Sequence, residues 1–196
     1  GCWYASLAWR RIFGWLCACP PHGPGVLYFS TTEEREKEAI MTLASILSDK
    51  HIIADMNATD RWEAIEELIA RLVECGKITP EKAPLIVEAV TRREKSMSTG
   101  VGLGVGLPHA STQLIDEVIG VFGRSKKGIK FEALDKQPVK FVVLFLVPQG
   151  QFQKHLQTLG NIARLLHRKE IRQAIEEAQD DQEIFDIIKN FSLSAS

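Results

Sequence analysis

From Asp60 onward, apolar residues return at Ile65, Leu68, Ile69, Leu72 and Val73, with polar side chains between them. Steps of three and four lay one stripe along a helical period. They predict an amphipathic helix capped by Thr59 or Asp60 and stopped at Gly76. A second stripe, Leu85, Ile86, Ala89 and Val90, runs towards Arg93, and Thr79-Pro80 ahead of it supplies a cap and a proline for the first helical position. The period then changes. Val118 to Phe122 and Val139 to Val147 are dense in β-branched and aromatic residues and predict strands, the second buried on both faces, with Ile129 to Phe131 as a short strand between them. Beyond Pro148-Gln149-Gly150, the residues Leu156, Leu159, Ile162, Ala163 and Leu166 predict a third long helix, and Ile171 to Ala178 and Gln182 to Phe191 two shorter ones.

Helices first, strands in the middle and helices last imply an α/β fold, a small mixed sheet covered by helices on both faces, because each helix has one apolar stripe to bury. A chain of 196 residues, 45% hydrophobic and 25% charged, has room for one such core. The formal charge is −1 and the two signs are interspersed, which argues against a nucleic-acid face, whose signature is a basic stripe.

The first 25 residues, "GCWYASLAWRRIFGWLCACPPHGPG", differ in kind, holding three of the four tryptophans and three of the four cysteines. Their apolar run, Ile12 to Cys19, is too short to span a bilayer, which takes about 20 apolar residues, so direct membrane insertion is not expected. Leu16-Cys17-Ala18-Cys19 loosely resembles a lipoprotein cleavage site, and Arg10-Arg11 a twin-arginine start. The simpler expectation is an appendage over residues 1–40, disordered or foreign to the natural product, with the domain occupying 41–196. "MTLASILSDKHIIADMNATDRWEAIEEL" from Met41 reads as a domain start, and "TEEREKEA" before it as a solvated lead-in. Cys75 is then the body's single thiol, which suits a reducing, cytoplasmic setting.

"STGVGLGVGLPHA", Ser98 to Ala110, sets glycines at 100, 102, 104 and 106 and ends in Pro-His. A dinucleotide fingerprint needs glycines at i, i+2 and i+5, and a Walker loop needs Gly-Lys-Ser/Thr; neither is present. In an extended segment the alternate glycines would leave one face bare, while Val101, Leu103, Val105 and Leu107 anchor the other. Alternatively, the glycines permit close packing of a neighbouring element and His109 is a structural histidine bonded to a carbonyl. Pro108 fixes its own φ and keeps Leu107 out of the helical region, so His109 leaves the segment in a defined direction.

The stretch "REKSMSTGVGLGVGLPHA", the later "LFLVPQGQFQKHLQTLGNIARLL" with its His-Leu opening a helix, and the start at Met41 together resemble one family. It is the enzyme IIA domains of the phosphoenolpyruvate-dependent sugar phosphotransferase system, in the fructose/mannitol class that includes nitrogen-regulatory IIA proteins. The resemblance implies that His109 is a phosphoryl acceptor, charged by a histidine-phosphorylated carrier protein and discharged to a sugar-permease IIB domain or used to signal to a regulatory target. It implies neither cofactor nor metal. His155 matches the family's second histidine, and Arg93 its Arg-Glu arginine, with Arg92 as neighbour. Thr99, with Ser98 in reserve, is expected to offer a hydroxyl and backbone N–H groups. A neutral imidazole suits the task, since its lone pair is nucleophilic near neutral pH.

With no transmembrane stretch and no fused IIB domain in the sequence, a stand-alone regulatory protein is the expectation ahead of a fructose-class transport subunit. A non-catalytic docking module on the same fold is the alternative, and a metal-dependent hydrolase ranks last for want of an HExxH or carboxylate-rich set. His22, His51 and His167 are expected at the surface, and Trp62 and Cys75 in helix packing.

Overall fold

A computed structural model describes residues 43–133 and 135–193; the expectations for residues 1–40 and for a start at Met41 lie outside the described residues. The chain opens with a short helix α1 (Leu43–Ile46), a 3-10 turn (Asp49–His51) and strand β1 (Ile52–Ile53), followed by helices α2 (Arg61–Glu74) and α3 (Ala83–Ser96). Strands β2 (Gly100–Gly102), β3 (Val105–Gly106), β4 (His109–Thr112), β5 (Ile119–Ile129) and β6 (Val139–Pro148) come next, then α4 (Phe152–His167), α5 (Lys169–Glu177) and α6 (Asp181–Leu193).

The strands form one mixed sheet in the order β1-β5-β6-β3-β2, with β4 also on β6. Strand β6 is the axis: β5 runs antiparallel along one edge, while β3 and then β4 run parallel along the other. Its residues are buried on both faces and alternate between two cores. Val142, Leu144 and Leu146 meet α2 and α3; Phe141, Val143, Phe145 and Val147 meet α1, α4, α5 and α6. A strand covered on both faces carries no polar face, hence its unbroken apolar run.

Helix α2 forms where its stripe predicts, and Asp60 is the cap, accepting the N–H groups of Trp62 and Glu63. Several expectations are corrected. Thr79 and Pro80 lie in a turn, with Thr79's carbonyl accepting from Lys82 and Ala83, so α3 starts at Ala83 and Pro84 is the proline of its first turn. The proposed short strand at Ile129 is the far end of β5, rejoining β6 after an irregularity between Arg124 and Ile129. Leu85 and Leu156 are exposed, because the inward stripes run through Ile86, Val90 and Glu94 on α3, and through Leu159, Ile162 and Leu166 on α4.

The glycine run is not one extended segment. It folds back as a β2–β3 hairpin, with Gly100 opposite Gly106 and Gly102 opposite Val105. Leu103 and Gly104 at its tip both have positive φ, 55° and 76°, as a tight primed turn requires. Leu103 therefore points outward rather than anchoring the segment, and its N–H is held by Asp135 Oδ2 at 2.8 Å. At Gly100 an added Cβ would lie 2.6 Å from the Ala133 Cβ, and at Gly106 3.1 Å from the Phe131 ring. These two glycines admit neighbouring elements, which is the packing alternative.

His51, expected at the surface, is buried beneath the 3-10 turn, and its Nδ1 has no partner. Burial holds its imidazole below the ordinary range, with Lys77 adding to the effect, while the Ile46 backbone, Asp49 and Glu117 pull upward. His109 and His155 are shifted the same way, burial being the first cause in each. An unfolded chain regains ordinary histidines, which protonate below about pH 6.5, whereas the folded ones resist until lower pH. Stability is therefore full above that value and falls as acid is added below it. Urea midpoints taken from about pH 8 to about pH 5 should hold steady and then decline below roughly 6.5; a flat profile would mean that His51 protonates in place.

Candidate functional site

His109 opens β4, just after a break in the edge of the sheet. Strands β3 and β4 both pair with β6, at Phe141–Val142 and at Phe145–Pro148, and Leu107-Pro108 bridges the interval. Proline has no N–H to give a ladder; its carbonyl instead accepts the Phe145 N–H at 2.9 Å, which fixes the start of β4. Alternation along β4 turns Ala110 into the α2/α3 core and His109 towards the side of α4.

The His109 ring is half-buried and lies stacked on Phe152, with centroids 5.6 Å apart and planes 19° from parallel. Its Nδ1 sits 2.9 Å from the Leu107 carbonyl oxygen. A carbonyl only accepts, so Nδ1 carries the proton and Nε2 the lone pair. Among the described residues the fully buried side-chain atoms without partners are His51 Nδ1 and Arg124 Nη2. Nε2 of His109 is not one of those two atoms, and no hydrogen bond joins it to a described residue. Burial holds the ring below its ordinary pKa; the Leu107 hydrogen bond pulls up, the Arg93 cation pushes down and the Glu94 charge pulls up. The neutral form is thereby favoured near pH 7.

His155 lies in the second turn of α4, in line with Phe152, Leu159, Ile162 and Leu166 at helical spacing. It takes a place on the inward stripe where that stripe runs out of core, and its ring meets the edge of Phe145 at 6.3 Å between centroids. Since Phe145 pairs with His109 across the sheet and Phe152 stacks on it, the two imidazoles share one aromatic floor. Arg93, at the end of α3, donates to the Met97 carbonyl at 3.0 Å, and its charge bears on His109. Arg92 is exposed and lines a separate groove with Leu85, Glu88, Ser111 and Gln149.

Thr99 is buried, and both of its donors are engaged: N–H and Oγ1–H both reach the Glu94 carboxylate, the hydroxyl at 2.5 Å. Ser98 donates its hydroxyl to the Phe131 carbonyl at 3.2 Å. Sequence reasoning gave Glu94 and Phe152 no role, and Leu107 only that of an apolar anchor. For Glu94 a signal existed, an acid at the next buried step after Ile86 and Val90, where charged residues rarely sit unless paired. His167 is exposed, His22 lies outside the described residues, and Trp62 packs against the core beneath Arg61, whose guanidinium carbon is 4.4 Å from its centroid. Cys75 donates to the Lys50 carbonyl at 2.9 Å. Among the described residues no three His, Cys, Asp or Glu side chains converge to hold a metal ion, and no helix is long and apolar enough to cross a membrane.

The sequence and the fold both match a known class. Residues 34–191 match the family described as phosphoenolpyruvate-dependent sugar phosphotransferase system, EIIA 2, and the chain belongs to that family. It is 31% identical over 148 residues to a nitrogen regulatory protein of Bradyrhizobium diazoefficiens, covering 76% of this chain and 95% of that one. It is 34% identical over 148 residues to the fructose-specific EIIABC component of Bacillus subtilis, covering 76% of this chain but 23% of that much longer protein. Among solved structures, the nitrogen regulatory protein IIA-Ntr of Neisseria meningitidis is 29% identical, with a TM-score of 0.67 over 74% of this chain and 97% of that one. Family membership makes the chain a phosphoryl carrier of the phosphotransferase system or a regulatory relative of such carriers.

Proposed function

We propose that His109 accepts a phosphoryl group on Nε2 from a histidine-phosphorylated carrier protein and passes it to a IIB domain or holds it as a regulatory signal. The observation that carries this reading is the Nδ1–H bond to Leu107, which commits the opposite nitrogen to a free lone pair. In the transfer the donor's N–P bond breaks as the Nε2–P bond forms, and the His109 ring gains positive charge while the donor ring loses it. The Leu107 carbonyl then accepts from a charged donor, a stronger bond than in the resting state. Such transfer is mainly positioning and stabilisation of the equatorial oxygens. Arg93 and His155 are the side chains proposed for that task, and Phe152 holds the plane of the ring.

Relatives of both transport and regulatory kinds share this region of sequence, and the same phosphohistidine serves either use. Because phosphoenolpyruvate is a cytoplasmic metabolite, the reading carries a cytoplasmic location with it. Incubation with phosphoenolpyruvate, the general phosphotransferase enzyme and its carrier protein should add a single acid-labile, base-stable phosphoryl group per chain, retained in His167→Ala. His155→Ala should fold normally and accept the group more slowly, by roughly 10- to 100-fold; an unchanged rate would return His155 to a packing role.

A further inference from the structure

We propose that Glu94 is a positioning residue for His109, acting through Thr99 and Leu107 to set which ring nitrogen is free. The inference rests on His109 being the acceptor. Glu94 is 1% exposed, the innermost acid of α3. Its carboxylate accepts the Thr99 N–H at 3.0 and 3.2 Å and the Thr99 hydroxyl at 2.5 Å, with Arg61 Nη1 at 3.9 Å. The Thr99 carbonyl accepts the Leu107 N–H at 3.0 Å, and the Leu107 carbonyl accepts His109 Nδ1–H at 2.9 Å.

The Leu107 side chain is buried in the core and the Pro108 carbonyl is held by the Phe145 N–H, but the hydrogen bond that orients the Leu107 N–H runs through Thr99. Strand β3 ends at Gly106 and β4 begins at His109, so Leu107 and Pro108 lie outside both strands. Pro108 has no N–H with which to fix the peptide group that carries the Leu107 carbonyl. Thr99 is the anchor of Leu107, and a buried carboxylate is the anchor of Thr99. A buried charge is tolerated only where several donors converge on it, so the arrangement tolerates little displacement.

Glu94 touches neither the acceptor nitrogen nor the site of transfer, yet it determines where the Leu107 oxygen stands. If that oxygen moves, the imidazole loses its reason to keep the proton on Nδ1. The Glu94 charge also favours the imidazolium form of His109, against Arg93, and so eases the charge that builds on the ring as Nε2 bonds to phosphorus.

Imidazole ¹⁵N spectra of the whole chain report the tautomer directly, without a phosphoryl donor. Wild type should show His109 as the Nδ1–H form. Glu94→Ala should show a mixture, and its rate of phosphoryl acceptance should drop roughly 10- to 100-fold with the KM for the carrier protein unchanged. Glu94→Gln keeps one acceptor oxygen for the Thr99 N–H and should recover part of both, and it decides the matter should the alanine variant fail to fold. A folded Glu94→Gln with wild-type tautomer and rate overturns the proposal. Failure of the acceptor reading looks different: a chain that takes no label, or keeps its label without His109, whatever the spectra of the Glu94 variants show.

Discussion

His109→Ala should take phosphoryl incorporation from a single group per chain to background. No other histidine of the described residues offers an equivalent nitrogen. His51 is buried with its free nitrogen shut in, and His167 stands exposed on the last turn of α4 with no hydrogen bond to set its tautomer. His155 shares the aromatic floor but has no carbonyl partner for either ring nitrogen among the described residues, so nothing commits its lone pair. The substitution should leave the fold intact. It removes one ring stack, worth about 0.5–1.5 kcal/mol, and one hydrogen bond, worth about 1 kcal/mol. A domain of this size has on the order of 5–15 kcal/mol in hand. Phosphate counted by mass spectrometry, beside a urea unfolding curve, separates the two effects. Label persisting at the wild-type level would move the acceptor elsewhere.

The largest loss of stability should come from a residue remote from this chemistry. Arg124 on β5 is 1% exposed, and its guanidinium ties four carbonyls together: Ala54 at 2.6 Å after β1, and Ile175 at 2.6 Å, Glu176 at 3.4 Å and Ala178 at 2.7 Å at the end of α5. A helix C-terminus carries partial negative charge and carbonyls with no partner of their own, so the cation is held by a dipole and by hydrogen bonds. Met56 closes the arrangement by donating its N–H to the Arg124 carbonyl at 2.8 Å. Arg124→Met fills a similar volume but strands these carbonyl acceptors, and it should cost about 3–5 kcal/mol. That is a large share of the whole. Arg124→Lys keeps a charge without the planar fork and should recover only part of the loss. Urea midpoints check both; a shift below about 1 kcal/mol in the methionine variant would mean that water or a rearranged α5 satisfies these carbonyls.

Where a side chain's role depends on local period, the sequence was a sufficient guide. The α2 stripe and the apolar run of β6 are local facts, since helix and strand periods fall within ten residues and burial follows from them; the cap was narrowed to Thr59 or Asp60, and the structure chose Asp60. The backbone direction at His109 was legible for a similar reason, because Pro108 restricts the chain on either side of itself whatever the fold around it, whereas its role as acceptor came from the family resemblance. The misreadings share a cause. Leu85 and Leu156 are apolar residues beside, not on, the inward stripe, and only the position of the sheet tells which side of a helix faces inward. His51 reads as a polar residue in a loop until α6 and β5 close over it.

The sequence by itself determined the order of helices and strands and the two-sided burial of β6, since each rests on steric preference or hydrophobic period over a short span. Tertiary structure alone decided that the glycines make a hairpin, that Thr99 turns inward to Glu94, and that Phe152 stacks on His109 while Phe145 meets His155. Those outcomes come from contacts between segments far apart in the chain, and hydrogen bonds and packing of that kind leave no periodic trace in the residues that make them.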